Sequence, residues 1–145
     1  MKQNDALFYT CCLVEQMGRE VLQPRSQIVE ALGTDLERIY SHADVFHCEP
    51  LLKVAWDFID RDGIPQGSYD VEALARYRVP DAWEIGEVFA RLIEDCYPEE
   101  DLPRGIREVF HSWICPAILN FNSDLYYQPR DYIAACYREG KILAA

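Results

Sequence analysis

Every apolar run in this 145-residue chain recurs at a spacing of three or four and is cut off by a proline or a glycine, and no alternating run of useful length appears. That pattern restricts the chain to helices. Leu7, Cys11, Val14, Met17 and Val21 predict an amphipathic helix over about residues 5–22, with Asn4 or Asp5 as its N-cap. Pro24 opens a second helix that buries Ile28, Val29 and Leu32 and stops at Gly33. Thr34 and Glu37 have capping-box spacing, which predicts a third helix from about Asp35 to Phe46. After Pro50, the run Leu51, Leu52, Val54, Ala55, Trp56, Phe58 and Ile59 is apolar around much of a helix and is expected at the centre of the core.

Asp60 to Pro80 reads as a long connection with one short helix over Val71–Tyr77. Asp81 and Glu84 then cap a helix that ends near Cys96, before Pro98. Glu99, Glu100 and Asp101 precede Pro103, where carboxylates favour the positive end of a helix dipole. The next helix runs through Ile106, Val109, Phe110, Trp113 and Ile114 and is kinked or ended by Pro116, with residues 117–121 continuing after the bend. Pro129 and Gly140 bracket the last helix, after which Ile142 and Leu143 are expected to fold back. The sum is an all-α fold, a single compact bundle of about six to eight helices. Residues 1–145 form one domain, with no repeat or composition shift to divide them.

A chain of this length buries roughly 68–70% of its unfolded surface, so it folds without a metal or a disulfide. The six cysteines include no Cys-x-x-Cys pair and lie in apolar helical patterns, which predicts free, buried thiols and argues against zinc-ribbon or thioredoxin chemistry. The opening MKQNDALFYTCCLV lacks the regions of a secretory signal and no apolar run is long enough to span a bilayer, so the expected location is cytoplasmic. Twenty-five acidic residues against 14 basic ones give a formal net charge of −11, and the basic residues are scattered. That field repels phosphate, so neither nucleic acid nor an anionic membrane surface is an expected partner.

Candidate chemistry is sparse. Asp60, Asp62 and Gly63 resemble part of a calcium loop, but Phe58 occupies the first ligand position and Tyr69 the place of the bidentate Glu. His42, His47 and Cys48 are possible zinc ligands, yet positions five apart lie about 140° around a helix, and packing or helix-end hydrogen bonding is the better reading. Cys12 or Cys48 with a histidine makes a weak nucleophile and base pair. Neither a metal nor a cofactor is expected.

The stretch Asn120-Phe-Asn-Ser-Asp-Leu-Tyr-Tyr127 is the least ordinary, serving either as turns that bond their own backbone or as a recognition surface. With Trp56, Trp83 and Trp113 expected to be packed away, Asn120, Asn122, Asp124, Tyr126 and Tyr127 are the candidate contact residues, with Glu99, Glu100 and Asp101 as a steering rim.

The motifs Ala43-Asp-Val-Phe-His-Cys48, Tyr77-Arg-Val-Pro80, Ile85-Gly86 followed by Leu92-Ile93, and Asn120-Phe-Asn-Ser with Tyr126-Tyr127 resemble a group of small bacterial all-helical proteins, over nearly the whole chain. The resemblance implies genes placed beside toxins of ADP-ribosyltransferase-like fold, and hence an antitoxin or immunity-like partner. It carries over no catalytic residue. Two other readings stand beside an acidic protein-binding module: a small enzyme with a pocket lined by His42, His47 and Cys48, and an acidic decoy that imitates DNA.

Overall fold

The computed structural model describes residues 2–144 and is all-helical, with nine α-helices and no strand among the described residues. The first helix, α1 (Gln3–Val21), is the axis of the bundle. Leu7, Cys11, Cys12, Leu13, Val14, Glu15 and Met17 are completely buried, which covers the whole circumference of its middle turns. Around it pack α2 (Arg25–Leu32), α3 (Asp35–Ser41), α4 (Ala43–Phe46), α5 (Leu51–Arg61) and, most extensively, α6 (Ala82–Cys96). The outer elements α7 (Leu102–Phe110) and α9 (Arg130–Glu139) pack on α6, and α8 (Ile114–Ile118) joins α7.

Helix ends follow the punctuation. Pro24, Pro50 and Pro129 occupy N-caps, while Gly33 (φ +55°) and Gly140 (φ +77°) supply the positive φ at the stops. The Asp81–Glu84 capping box forms in full: the Glu84 amide donates to Asp81 Oδ1 at 2.8 Å and the Asp81 amide to Glu84 Oε1 at 3.2 Å. α6 then ends at Cys96, as the spacing predicts.

Several expectations are corrected. Asn4 and Asp5 lie inside the first turn of α1, which starts earlier, with Lys2 at the N-cap. Thr34 caps nothing with its side chain, because its backbone is already helical and Glu37 is drawn away to Arg107. Arg107 also donates from Nη2 to Glu37 Oε1 (2.8 Å) and to the Gly33 carbonyl (2.6 Å), so it ties the α2–α3 corner to α7. The third helix is broken at His42 (φ −117°, ψ 24°), and the change of direction buries Ala43 and brings Phe46 edge-on to Phe58, centroids 5.4 Å apart.

α5 is not at the centre: it buries Val54, Ala55, Phe58 and Ile59 but leaves Leu52 50% and Trp56 38% exposed. Residues 71–77 form turns rather than a helix, since Asp70 Oδ1 takes the Glu72 and Ala73 amides. The break before Pro116 comes at 111–113, where Ser112 Oγ donates to the Val109 carbonyl at 2.7 Å. Pro116 sits in the first turn of α8, where its missing N–H costs no hydrogen bond. Leu143 does fold back, accepting from Tyr132 Oη at 2.6 Å, whereas Ile142 stays exposed.

Two features hold α1 in place. Gly86 on α6 lets the two backbones meet, since a Cβ there would lie 2.8 Å from Cys12 Cα. The second is an ion cluster built on the fully buried Glu15 and Arg25. Glu15 accepts from Arg25 Nε (2.8 Å) and Nη2 (2.7 Å) and from Arg19 Nε (2.7 Å), and Arg25 Nη1 donates to the Gln23 carbonyl (2.9 Å). Burial pushes the Glu15 carboxyl up, and the charge and hydrogen bonds of Arg25 and Arg19 overcome that, holding it below its usual range.

Gly86→Ala should destabilise the fold by about 1–3 kcal/mol, the range of an overpacked core, since the clash outweighs the helix propensity gained; chemical denaturation measures it. Glu15→Gln should cost about 3–5 kcal/mol because it strands two buried guanidinium groups, and an unfolding midpoint equal to that of the wild type would show the cluster to be dispensable.

Candidate functional site

The connection 62–81 runs back along the C-terminal end of α1 as a strap. The Gly67 amide donates to the Val21 carbonyl and the Tyr69 amide to the Leu22 carbonyl, both at 2.7 Å, and Gln23 Nε2 donates to the Pro65 carbonyl at 2.9 Å. Farther on, Asn122 uses its whole amide on the strap: Oδ1 accepts from the Arg76 amide (2.8 Å) and Nδ2 donates to the Leu74 carbonyl (2.9 Å).

Asn120 and Ser123 bond their own loop, Asn120 Oδ1 accepting from the Asn122 amide and Ser123 Oγ from the Leu125 amide, each at 3.2 Å. The short polar residues of 120–123 are therefore turn and clamp residues. Phe121 is buried and meets Tyr126 edge-on at 5.6 Å; Tyr126, half-buried, meets Tyr127 in turn at 4.9 Å.

The consequence is a set of large side chains held outward on neighbouring strap and loop: Leu74, Tyr77 and Tyr127 are 69%, 72% and 66% exposed. Beside it Tyr126 and Tyr127, with Arg91 and Arg130, line a cleft of about 150 Å³. Its cations are occupied, Arg130 by Asp95 at 2.8 Å and Arg91 by Glu87, and Arg78 nearby holds Glu84 at 2.6 Å. Asp124 is exposed at the loop's edge. Glu99, Glu100 and Asp101 form a 3-10 turn that leads into α7, where Asp101 pairs with Arg104 at 3.1 Å and Glu99 faces Tyr40 on α3. This acidic turn thus sits at the start of α7.

The histidines and Cys48 form no enclosed pocket. All three are exposed at the two ends of α4; Cys48 Sγ lies 4.0 Å from His47 Nδ1 and donates to the Asp44 carbonyl at 3.5 Å. Cys11, Cys12, Cys115 and Cys136 are buried as expected, but Cys96 is half-buried and Cys48 exposed. Burial pushes the thiols of Cys11, Cys12 and Cys115 well above their ordinary range, which removes Cys12 as a nucleophile. No group of three or more metal-binding side chains converges among the described residues. Trp56, Trp83 and Trp113 are exposed rather than packed away: Trp56 Nε1 donates to Glu20 Oε1 at 3.0 Å, and Trp83 lies 5.7 Å from the Phe8 ring.

No family model, no curated protein and no solved structure matches this chain.

Two groups escaped the sequence reading. The Glu15–Arg25–Arg19 cluster had a visible signal, a Glu inside the apolar stripe of α1 with an Arg four residues on. Asp62, instead of serving a calcium loop, ends α5 against Asp35, with one carboxylate oxygen buried and without a donor. Burial, then the hydrogen bond and charge of Asp35, raise Asp62 to about 6, while Arg61 and Arg38 pull it back.

A carboxyl raised on folding stabilises the fold fully below its unfolded value, 3.8, and loses that contribution as pH rises through about 6. Asp62→Asn, which supplies a permanent N–H toward Asp35, should stabilise the fold at pH 8. A shift of this size at a partly solvated group translates to about 1 kcal/mol. The gain should shrink toward zero below pH 5, as read by melting temperature across that range.

Proposed function

We propose that the protein is an acidic protein-binding module, and within that class an antitoxin or immunity-like partner that masks a basic or active-site surface of a bacterial toxin. The observation that carries the reading is the Asn122 clamp, which fixes the strap bearing Leu74 and Tyr77 to the loop bearing Tyr127. Large exposed side chains on ordered backbone lose little conformational freedom on association, and tyrosines combine contact area with a hydrogen-bonding tip. Around them Arg78, Arg91 and Arg130 are each paired with a carboxylate, so the net charge of −11 governs encounter. A basic partner is drawn in by the long-range field and held by the aromatic face. The resemblance to proteins encoded beside ADP-ribosyltransferase-like toxins names the kind of partner.

Titration against the toxin that the resemblance pairs with this chain tests the reading. A stoichiometric complex is expected whose association slows as salt is added. Tyr77→Ala with Tyr127→Ala should weaken it by more than about 2 kcal/mol, roughly 30-fold, with the melting temperature unchanged because both side chains are exposed. A complex indifferent to the double substitution would move the interface elsewhere.

A further inference from the structure

A cleft of about 440 Å³ opens between α4 and α5, away from the tyrosine face. It exists because the chain breaks at His42: α4 turns across α5 and sets Phe46 against Phe58, and these rings with Val45 and Val54 form an apolar wall. Its volume lies within the roughly 300–1,000 Å³ of small-molecule sites, which pair an apolar lining with a few convergent polar groups.

The charged residues of the rim are segregated. Glu49, Lys53, Asp57 and Arg61 recur every fourth position and so line one ridge beside the cleft. At one end Lys53 Nζ lies 2.8 Å from both Glu49 and Asp57, so one ammonium is shared by two carboxylates and the local balance is negative. At the other end the charges balance and guanidinium donors are left over. Arg61 Nε donates to Asp35 at 3.1 Å and Arg38 Nη1 approaches the same carboxylate only to 3.9 Å, with the Asp62 carboxyl against Asp35 as the second acid of this group. The Arg38 guanidinium lies 6.0 Å from the Phe46 ring centroid, where the apolar wall begins. Neither terminal nitrogen of Arg61 has a hydrogen-bond partner among the described residues.

We propose that this cleft binds an apolar monocarboxylic acid, its hydrocarbon on the Phe46–Phe58 wall and its carboxylate between Arg38 and Arg61. Guanidinium groups bind carboxylates through paired N–H donors, and the spare donors are at this end. The Glu49–Lys53–Asp57 end sets the polarity of the ligand. A second anionic group there would meet two carboxylates and a committed ammonium, so the site discriminates against diacids as well as against neutral chains that cannot use the arginines. This ligand site is separate in position and chemistry from the protein-binding face, and either stands without the other.

The test titrates the full chain with decanoate below its micellar concentration, using decanol and decanedioate as comparators, with calorimetry and backbone amide shifts as readouts. The expected result is saturable decanoate binding at least tenfold tighter than either comparator, with the shifts concentrated in residues 38–61. Arg38→Gln with Arg61→Gln should abolish the preference for decanoate over decanol. Val45→Asp keeps both arginines and places a carboxylate at the mouth on a residue 64% exposed, where folding does not depend on it; it should weaken decanoate at least fivefold. Absence of saturation, equal affinity for decanoate and decanol, or shifts centred outside the cleft would overturn the proposal. So would a preference that survives in the folded double variant; if that variant does not fold, undiminished decanoate binding by the Val45→Asp protein overturns it.

Discussion

The salt bridge between Glu15 and Arg25 is the interaction on which the rest of the architecture depends. Both side chains are completely buried, and Arg25 reaches Glu15 by crossing Gly18, where a Cβ would stand 2.7 Å from its guanidinium carbon. That crossing fixes the position of α2 on α1. The same guanidinium closes on the Gln23 carbonyl and lies 5.8 Å from the Tyr69 ring, which belongs to the strap. Arg19, the third member, lies 5.6 Å from the Phe121 ring in the loop before α9. One buried carboxylate thus organises four pieces of chain with little sequence in common. Such a pair is costly to desolvate, so its contribution is better understood as fixing which segments meet than as adding stability.

From that centre the aromatic face follows by short steps. The strap is held to α1 by backbone hydrogen bonds at Gly67 and Tyr69, Asn122 then joins it to the loop, and Phe121 supports Tyr126, which supports Tyr127. The polar groups of the strap and loop are used inward, while Leu74, Tyr77 and Tyr127 stay outward. An irregular segment can present such a face only if its backbone groups are otherwise satisfied, and here the asparagine amide does much of that. Asn120 and Asn122, candidate contact residues in the sequence, serve instead to pin the backbone that carries their neighbours.

The helices and most of their ends were legible, because proline, glycine and capping residues act within a few positions of themselves; Gly33, Gly140 and the Asp81–Glu84 box are local devices. What was not legible was pairing at long sequence separation. Glu37 has the spacing for a local cap but finds a stronger partner in Arg107, 70 residues on. α5 is more uniformly apolar than α1, yet α1 is the axis, because Thr10 bonds the Ala6 carbonyl at 2.7 Å and Glu15 has Arg25, so these two polar residues are buried with partners, although Tyr9 Oη and Arg19 Nη2 on the same helix are buried without one. Composition alone ranks the two helices the wrong way. The cleft was illegible for a related reason: it follows from the break at His42, which no proline or glycine marks.

The distribution of charge adds a last constraint. Nearly every arginine is engaged with a carboxylate or a carbonyl, so the excess acid falls to solvated positions such as Asp44, Asp60, Glu99, Glu100 and Asp131, and the field is negative in most directions. Against that background Arg38 and Arg61 stand out, since Arg61 reaches Asp35 through Nε alone and Arg38 comes only within 3.9 Å of it, while burial and Asp35 raise the neighbouring Asp62 to about 6. A small anion can therefore find local attraction on a protein that repels anions at a distance, while a basic macromolecule responds to the whole field. Asp62 is also where α5 ends and the strap begins, so the residue behind the arginine end of the cleft is the first link toward the aromatic face. The two surfaces are joined through the strap, which leaves α5 at Asp62 and carries Leu74 and Tyr77.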